Sequence, residues 1–544
     1  MKAYNFLLVL LLTAFGLPGQ SDISFLEKSK QTDIAPTHFH IRQKTAEPTR
    51  VTVRYGTTAS MSNTYTTMTA QTEHDILLDN LTPATFYHVE VITETDSKIH
   101  HSAPRIMATA SESSGEIRYY FNNGVNEDFS NGVQPDGDQY PEVLDAMYDL
   151  IDNAQLTIDV AVYNTSWYEL VNRLEDAVER GVRVRYIHDE DTNNVALQGN
   201  LDFPTLAGSP SSNGIMHNKF MVTDAADPDN AHVLTGSMNW SFGNITEDHN
   251  NTVIIQDQTL ALNYTIEFEE MWGSTGEMPD AGNAKFGAAK TDNTAHNFNI
   301  GGVEIECYFS PSDAINTNIE EVINGADETL EIAMLLITKE DVTAAIKNRY
   351  FAGVNVRGIF DNDDTDEFTF LESQNVNVVY HYPSVMLHHK YAVADASLPD
   401  SDPTVLTGSH NWTYSAETFN DENTLIFHDA NVANLFLQEF EKRWDEVGPN
   451  TATNGYPVAE KTAIYPNPFT DRFTVNLTAH TAGRVTLDLY NSLGRQVYFA
   501  EEALSTGENE LTFRIPQLLP GTHYMILRDA EGRMIWREHV VRGQ

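Results

Sequence analysis

Cysteine is almost absent: 544 residues hold one, Cys307. An intrachain disulfide is therefore excluded, as is a metal site built from several thiolates. Cys307 lies in the apolar run Ile305-Glu306-Cys307-Tyr308-Phe309 and reads as an inert buried thiol. Positive charge is scarce as well, with 33 Lys and Arg against 78 Asp and Glu, a net charge of −45. Residues 116–447 alone hold 15 Lys and Arg against 57 Asp and Glu, which leaves −42 there. The acidity therefore belongs to the middle of the chain and not to a tail. Such a potential repels polyanions and argues against nucleic acid as a partner, although a solvated acidic surface suited to salty surroundings gives the same counts. Long hydrophobic runs are also missing, apart from Phe6–Leu17, which Thr13 and Gly16 interrupt. With Lys2 before it and Pro18-Gly19-Gln20-Ser21 after it, this run predicts a signal peptide over residues 1–20. It is too short to be read as a membrane span, and no cysteine follows for a lipid anchor. The mature protein is expected to be soluble and monomeric.

What the sequence does have is a repeat. His217-Asn218-Lys219 is followed by Asp224, and His388-His389-Lys390 by Asp395, at the same spacing. Each motif leads to Gly-Ser-x-Asn-Trp: Gly236-Ser237-Met238-Asn239-Trp240 and Gly408-Ser409-His410-Asn411-Trp412. Lys219 and Gly236 are 17 positions apart, and Lys390 and Gly408 are 18. In an extended His-x-Lys both side chains point to one face, so an imidazole and an ammonium share a site. Two such units facing each other assemble two His, two Lys and two Asn. That set suits a phosphate: cations and amides hold the oxygens, while imidazoles attack and move protons. No metal or other cofactor is required, and neither motif has metal-ligand spacing.

The duplicated His-x-Lys-x4-Asp resembles the defining motif of the phospholipase D superfamily, over roughly residues 116–447. The resemblance implies that one motif histidine attacks phosphorus and becomes a phosphohistidine. The other protonates the leaving alcohol and later activates water. It assigns His217 as nucleophile and His388 as general acid and base. Lys219, Lys390, Asn239 and Asn411 would hold the phosphate oxygens. Ser237 and Ser409 would add hydrogen bonds to substrate or serve only the turn. Asp224 and Asp395 read first as strand-fixing residues. Trp240 and Trp412 are candidates to receive a choline-like cation on a ring face, with packing between sheet and helices as the alternative.

The halves differ at one position. Asn420-Asp421-Glu422-Asn423 matches the family's Asn-x-Glu-Asn, whose Glu hydrogen-bonds a motif histidine; ungapped, the first half places Asn250 where Glu422 stands. Read within each half, Glu422 belongs to His388 and Asn250 to His217. That favours an imidazolium at His388. Glu247 or Asp248 could replace the missing carboxylate.

Around this core, composition and length predict a multidomain protein. Residues 35–110 alternate in strand fashion, and Leu81-Thr82-Pro83-Ala84-Thr85-Phe86-Tyr87 resembles the tyrosine corner of fibronectin type III domains. A β-sandwich acting as a spacer, or as a binding module for glycan or protein, is expected there. Two α/β halves follow, 116–275 and 300–447. Their helix candidates are Pro141–Ala154 with Tyr168–Arg180, and Asp313–Ala326 with Glu340–Phe351. Acidic loops fall at the same place in each half, Asp189–Asn193 and Asp361–Glu367; the second could hold Ca²⁺ but lacks an EF-hand glycine. A linker spans 448–461. Residues 462–544 form a second β-sandwich that resembles the sorting domain of the type 9 secretion system, on Tyr465–Phe469, Val485–Arg495 and Leu519–Tyr524. Together these features predict a secreted or surface-bound phosphodiesterase that hydrolyses phospholipids and engages the outer-membrane secretion machinery. An endonuclease on the same scaffold and a non-catalytic adhesin are the competing readings.

Overall fold

The computed structural model describes residues 23–208, 214–382, 385–396, 401–447, 459–479, 483–490, 496–529 and 534–543. The predicted signal peptide and most of the 448–461 linker lie outside these residues. The chain divides into two compact units, residues 1–112 with 293–299, and residues 113–292 with 300–544.

The first unit is all-β. It contains β1 (Phe25–Ala35), β2 (His38–Gly56), β3 (Asn63–Thr66), β4 (Gln71–Leu78), β5 (Phe86–Glu94), β6 (Ile99–His101) and β7 (Arg105–Ala108). The long β2 pairs with β1 and β4 along its first part and with β3 and β5 along its second. Its core gathers Phe39, Ile41, Val51, Val53, Ile76, Val89 and Val91, the alternate positions of the strands. Tyr87 is buried and its hydroxyl accepts the N–H of Thr82 at 2.9 Å, the bond that defines a tyrosine corner. Residues 293–299, which the sequence did not assign to this unit, join it through an Ala295–Ile106 bridge.

The second unit carries the repeat as topology. The first half runs β8 (Ile117–Phe121), α1 (Tyr140–Asn153), β9 (Thr157–Val162), α2 (Tyr168–Glu179), β10 (Arg183–Asp189), β11 (Thr205–Gly208), β12 (Lys219–Thr223), β13 (His232–Gly236), α3 (Phe242–Thr246), β14 (Asn251–Gln256) and α4 (Gln258–Trp272). Its sheet order is β11-β10-β9-β12-β13-β14-β8. After β15 (Asn297–Ile300) the second half runs β16 (Val303–Ser310), α5 (Asn316–Gly325), β17 (Thr329–Met334), α6 (Glu340–Ala352), β18 (Asn355–Phe360), α7 (Asp366–Ser373), β19 (Asn377–Tyr380), β20 (Lys390–Ala394), β21 (Thr404–Gly408), α8 (Tyr414–Thr418), β22 (Glu422–His428) and α9 (Ala430–Val447). The order β19-β18-β17-β20-β21-β22-β16 repeats that of the first half strand for strand. Strands β9, β10 and β11 are parallel, as are β17, β18 and β19. The remaining pairs are antiparallel.

Helices α1 and α2 bury Val143, Met147, Ile151, Leu170 and Leu174 on the first sheet; α5 and α6 bury Ile319, Ile323, Val342 and Ile346 on the second. The central strands are apolar yet each half holds a buried carboxylate paired with arginine across its β9–β10 equivalent, Asp159 with Arg185 at 2.7 Å and Arg183 at 3.1 Å, and Glu331 with Arg357 at 2.9 Å. Beyond the core, β23 (Ala459–Tyr465), β24 (Arg472–Ala479) and β27 (Gly507–Arg514) form one antiparallel sheet. A second contains β26 (Gln496–Leu504), β25 (Gly483–Tyr490), β28 (Gly521–Asp529) and β29 (Met534–Arg542), in that order. Phe469, Phe473, Val475, Leu487, Leu489 and Phe513 pack in their common core.

Candidate active site

Each His-x-Lys motif is the entry to a central strand, since β12 opens at Lys219 and β20 at Lys390. The motif aspartates explain why the strands start where they do. Asp224, at φ 47°, accepts the backbone N–H groups of Gln155, Leu156 and Thr157 at 2.8, 2.6 and 2.9 Å. Asp395, at φ 54°, accepts those of Asp327, Glu328 and Thr329 at 2.7, 2.8 and 2.9 Å. Each carboxylate thus ties the far end of its motif strand to the start of the neighbouring one, away from the reacting groups.

The Gly-Ser pairs are equally specific. Gly236 and Gly408 both have φ 148°, and a Cβ on either would lie 2.2 Å from the carbonyl oxygen of Asn251 or Asn423. Only glycine fits that approach. The serines that follow are fully buried. Ser237 Oγ donates to Asn250 Oδ1 at 2.9 Å and accepts from Asn251 N, while Ser409 Oγ donates to Glu422 Oε2 at 2.7 Å and accepts from Asn423 N. They orient the partners of the histidines, which agrees with the turn-serving alternative of the two.

The two halves meet through backbone pairs that flank the histidines. His217 N donates to Asp421 O and Asp421 N to Ile215 O; His249 N donates to Met386 O and His388 N to His249 O. As a result the acceptors cross over. His217 Nδ1 lies 2.7 Å from Glu422 Oε2, and His388 Nδ1 lies 2.9 Å from Asn250 Oδ1. The within-half assignment of Glu422 to His388 and Asn250 to His217 is therefore reversed. The physical reason is that each acceptor sits where the halves abut, so it faces the other half's strand. Glu247 and Asp248 do not replace it.

These bonds fix the protons. Asn250 Nδ2 donates to Asn244 O at 2.9 Å, which leaves Oδ1 as the acceptor and puts the His388 proton on Nδ1. Glu422 is an acceptor for Ser409 and for Asn420 Nδ2, at 3.1 Å, and so takes the Nδ1 proton of His217. Both rings then offer Nε2. Burial pushes His217 down to about 4, although Glu422 beside it pulls the other way. His388 falls well below the usual histidine range through burial and through Lys390, Lys219 and His217, and its Nδ1 partner is an amide. Burial lowers Lys219 to about 7 and Lys390 well below the ordinary lysine range. Glu422 stays ionised: burial raises it, but His217 and Lys219 more than compensate. Lys219 Nζ donates to His217 O at 2.7 Å and Lys390 Nζ to His388 O at 2.6 Å, so each motif is folded on itself. The Oδ1 atoms of Asn239 and Asn411 make no hydrogen bond, which leaves these amides with unused capacity.

Trp240 and Trp412 are 0% exposed and sit in the cores of the first and second halves. Neither can offer a face to a choline-like cation; the turn into α3 and α8 drives both rings under the sheet. Sequence reasoning missed other residues. Tyr163, at the end of β9, places its ring 4.9 Å from that of His217 and 5.4 Å from Lys219 Nζ. His410 is 3% exposed and neither of its ring nitrogens has a hydrogen-bond partner. Asp189 accepts Met216 N at 2.9 Å and Asp361 accepts Leu387 N at 2.7 Å, so the first residue of each acidic loop holds the residue before the motif histidine. Their matching places in the repeat were the available signal.

One histidine-rich cluster has metal-like spacing: His249, His381 and Glu446 bring ligand atoms within 4.8 Å of one another. Its donor chemistry does not suit a cation. Asn123 Nδ2 lies 3.1 Å from His249 Nδ1, and Arg443 Nη1 lies 2.5 Å from Nδ1 and 3.1 Å from Nε2, so a guanidinium already occupies the nitrogen edge of this imidazole.

Set against known proteins, a family model described as "Cardiolipin synthase, PLD-like domain" matches residues 147–272 and again 319–444. The chain belongs to the phospholipase D superfamily. A second model, "Secretion system C-terminal sorting domain", matches residues 463–541, which implies secretion or a place on the cell surface. The chain is similar to the mitochondrial cardiolipin hydrolase of Chlamydomonas reinhardtii, 31% identical over 146 residues, which cover 26% of this chain and 61% of that protein. It is also similar to that of Xenopus laevis, 31% identical over 161 residues, or 29% of this chain and 73% of that one. Among solved structures, phosphatidylserine synthase of Haemophilus influenzae superposes with a TM-score of 0.40 at 13% identity, over 61% of this chain and 86% of that one.

Proposed function

We propose that this chain is an exported phosphodiesterase of phospholipase D type that hydrolyses the head-group diester of phospholipids. The observation that carries the reading is the pair of opposed histidines with unlike partners, Glu422 on His217 and Asn250 on His388. His217, neutral at pH 7 with its proton on Nδ1, attacks phosphorus through Nε2. The ring then becomes cationic, and the Glu422 carboxylate is in place to balance it. The leaving alkoxide takes a proton from His388 Nε2. His388 has no carboxylate to hold that proton in the free enzyme. The phosphodiester anion supplies negative charge when it binds, and His388 takes up a second proton, from solvent, at Nε2 beside it. Water then enters on the His388 side, loses a proton to Nε2 and releases the phosphate from His217. Lys219, Lys390, Asn239 and Asn411 hold the phosphoryl oxygens.

A phospholipid substrate is supported by the relatives named cardiolipin hydrolase and by the −42 charge over residues 116–447, which opposes a polyanion. Residues 1–20 serve as the signal peptide and 462–544 as the sorting domain that engages the secretion machinery. Residues 35–110 act as a fibronectin type III-like spacer before the halves at 116–275 and 300–447, and 448–461 link the core to the sorting domain.

The test is turnover by the purified mature chain, in EDTA, of phosphatidylcholine and single-stranded DNA side by side, with acid-quenched peptide mapping of the phosphorylated histidine. Release of the lipid head group with phosphate on His217 is expected. DNA cleavage without lipid cleavage, or dependence on added Ca²⁺ or Zn²⁺, would overturn the reading.

A further inference from the structure

An aromatic lip stands beside the nucleophile. The loop after β9 begins at Tyr163, whose ring meets His217 at 4.9 Å, and reaches Trp167 and Tyr168 within five residues. It is tied to the Asn239-Trp240 motif by three backbone bonds: Trp240 N to Asn164 O at 3.0 Å, and Ser166 N and Trp167 N to Trp240 O at 2.9 and 3.1 Å. Phe242 follows two positions after Trp240, with its N–H held by Ser166 Oγ at 3.1 Å. The Trp167 and Phe242 rings stack at 5.6 Å and 15°. Trp167 is braced from below, its Nε1 donating to Tyr148 OH at 2.8 Å. Phe242, stacked on Trp167, is 58% exposed, and Tyr168, the next residue after Trp167, is 59% exposed, so the loop presents large rings to solvent.

The matching stretch of the second half is built differently. Thr338 N donates to Trp412 O as the first-half loop does to Trp240, but Lys339 and Glu340 stand where Trp167 and Tyr168 stand, and only Tyr414 answers Phe242. The fold therefore does not require the aromatics. They belong to one lip.

We propose that Trp167, Tyr168 and Phe242 form an interfacial docking surface that seats this lip of the active site on a zwitterionic phospholipid bilayer. The choice of occupant follows from the chemistry. Trp and Tyr are the side chains that settle at the boundary between head groups and acyl chains, with their apolar bodies buried and polar tips wet. Phe242 supplies apolar area without a polar group. The acidity of the surrounding core, and Glu169 next to Tyr168, disfavour an anionic surface. The lip and Tyr163, whose ring meets that of His217, belong to one loop, so docking there would bring the bilayer to the side of the site that holds the nucleophile. This inference rests on the phospholipid reading above for its purpose, but binding and cleavage are measured separately.

The experiment is flotation of the full mature chain with phosphatidylcholine vesicles in EDTA. It compares the native chain, the double variant Tyr168→Ser/Phe242→Ser, and Phe351→Ser. Phe351 is 64% exposed but lies at the far end of α6, away from the lip, and serves as the control. The double variant is expected to lose at least about tenfold in vesicle partition, on the scale of one aromatic side chain withdrawn from an apolar medium. Phe351→Ser should bind like the native chain. The ratio of turnover on vesicles to turnover on soluble bis(p-nitrophenyl) phosphate should fall with the partition. Far-ultraviolet circular dichroism and the melting temperature verify that each variant is folded. Native-like partition of the double variant, no partition of the native chain, or equal loss in Phe351→Ser would each overturn the proposal. Loss confined to the double variant in a chain that cleaves no phospholipid would leave the docking surface standing and sink the substrate assignment instead. Vesicles with half their lipid replaced by phosphatidylglycerol should bind less well; tighter binding there would mean that charge, not the aromatic lip, recruits the protein.

Discussion

Replacing Glu422 with Gln tests the crossed pairing directly. The substitution keeps the side-chain volume and a hydrogen-bonding oxygen, and removes one charge 2.7 Å from His217 Nδ1. Both groups are buried, His217 at 6% and Glu422 at 0% exposure, so water cannot screen the loss. A carboxylate at this range is commonly worth about one to three pKa units to a histidine, or about 1.4–4 kcal/mol. The phosphorylated ring of His217 is cationic and should lose that much. Formation of the phosphohistidine is then expected to slow by about 10- to 1000-fold on a soluble diester.

The pH profile gives the sign. His217 sits near 4 because burial outweighs the pull of Glu422. With Gln at 422, burial and the two lysines act unopposed, so the pKa falls further and the acid limb moves to lower pH while the plateau drops. Rates should be followed from pH 3.5 to 9, with the phosphopeptide quantified in parallel. A plateau within about threefold of the native value, or an acid limb that moves upward, would refute the reasoning.

The opposite change is expected at the other histidine: Asn250→Asp supplies a carboxylate at 2.9 Å from His388 Nδ1, and the alkaline limb should move up by about one pKa unit or more. If only the acid limb responds, the two histidines have exchanged roles. Binding of inorganic phosphate should draw protons from solution at pH 8, because Lys219 at about 7 and the depressed His388 and Lys390 recharge around the anion; calorimetry in buffers of different ionisation enthalpy measures the uptake, and a value of zero would contradict it. Lys290→Met removes the buried cation that bonds Glu267 at 2.5 Å and Asp421 at 3.1 Å, and should cost about 3–5 kcal/mol in thermal or denaturant unfolding at pH 8. Burial holds Glu267 at about 7 and Asp421 at about 6 even with Lys290 present, so both gain protons below those values and the loss should shrink at pH 5. An equal loss at both pH values would argue against the charge account.

Much of this site was legible because duplication supplies its own control. The repeated spacing located His217, Lys219, His388 and Lys390. The helical periodicity gave α1, α2, α5 and α6 to within a few residues, and the identical sheet order follows from the same repeat. Failures came where sequence distance misleads about space. Glu422 is 34 positions from His388 and 205 from His217, yet it bonds the latter. An ungapped comparison of the halves aligns equivalent residues but says nothing about which half each one faces. For the tryptophans the sequence left two readings open, a ring face beside the site or packing between sheet and helices, and both rings lie in the core. Tyr163 and the first-half lip left no trace in the repeat because Leu335, Lys339 and Glu340 occupy the matching positions.

The crossing has a consequence for how such a site can specialise. If each histidine drew its acceptor from its own half, a half would hold a complete histidine–acceptor pair. Here His217 depends on Glu422 from β22, and His388 on Asn250 just before β14, so neither half completes a histidine pair alone. Identical halves would give both histidines the same partner and, before substrate binds, the same proton affinity. With both halves in one chain, a single change at the acceptor position of one half alters only the histidine of the other. The carboxylate-to-amide difference between 422 and 250 is such a change. It leaves the backbone pairs between the halves symmetric and separates the chemistry of two otherwise equivalent rings.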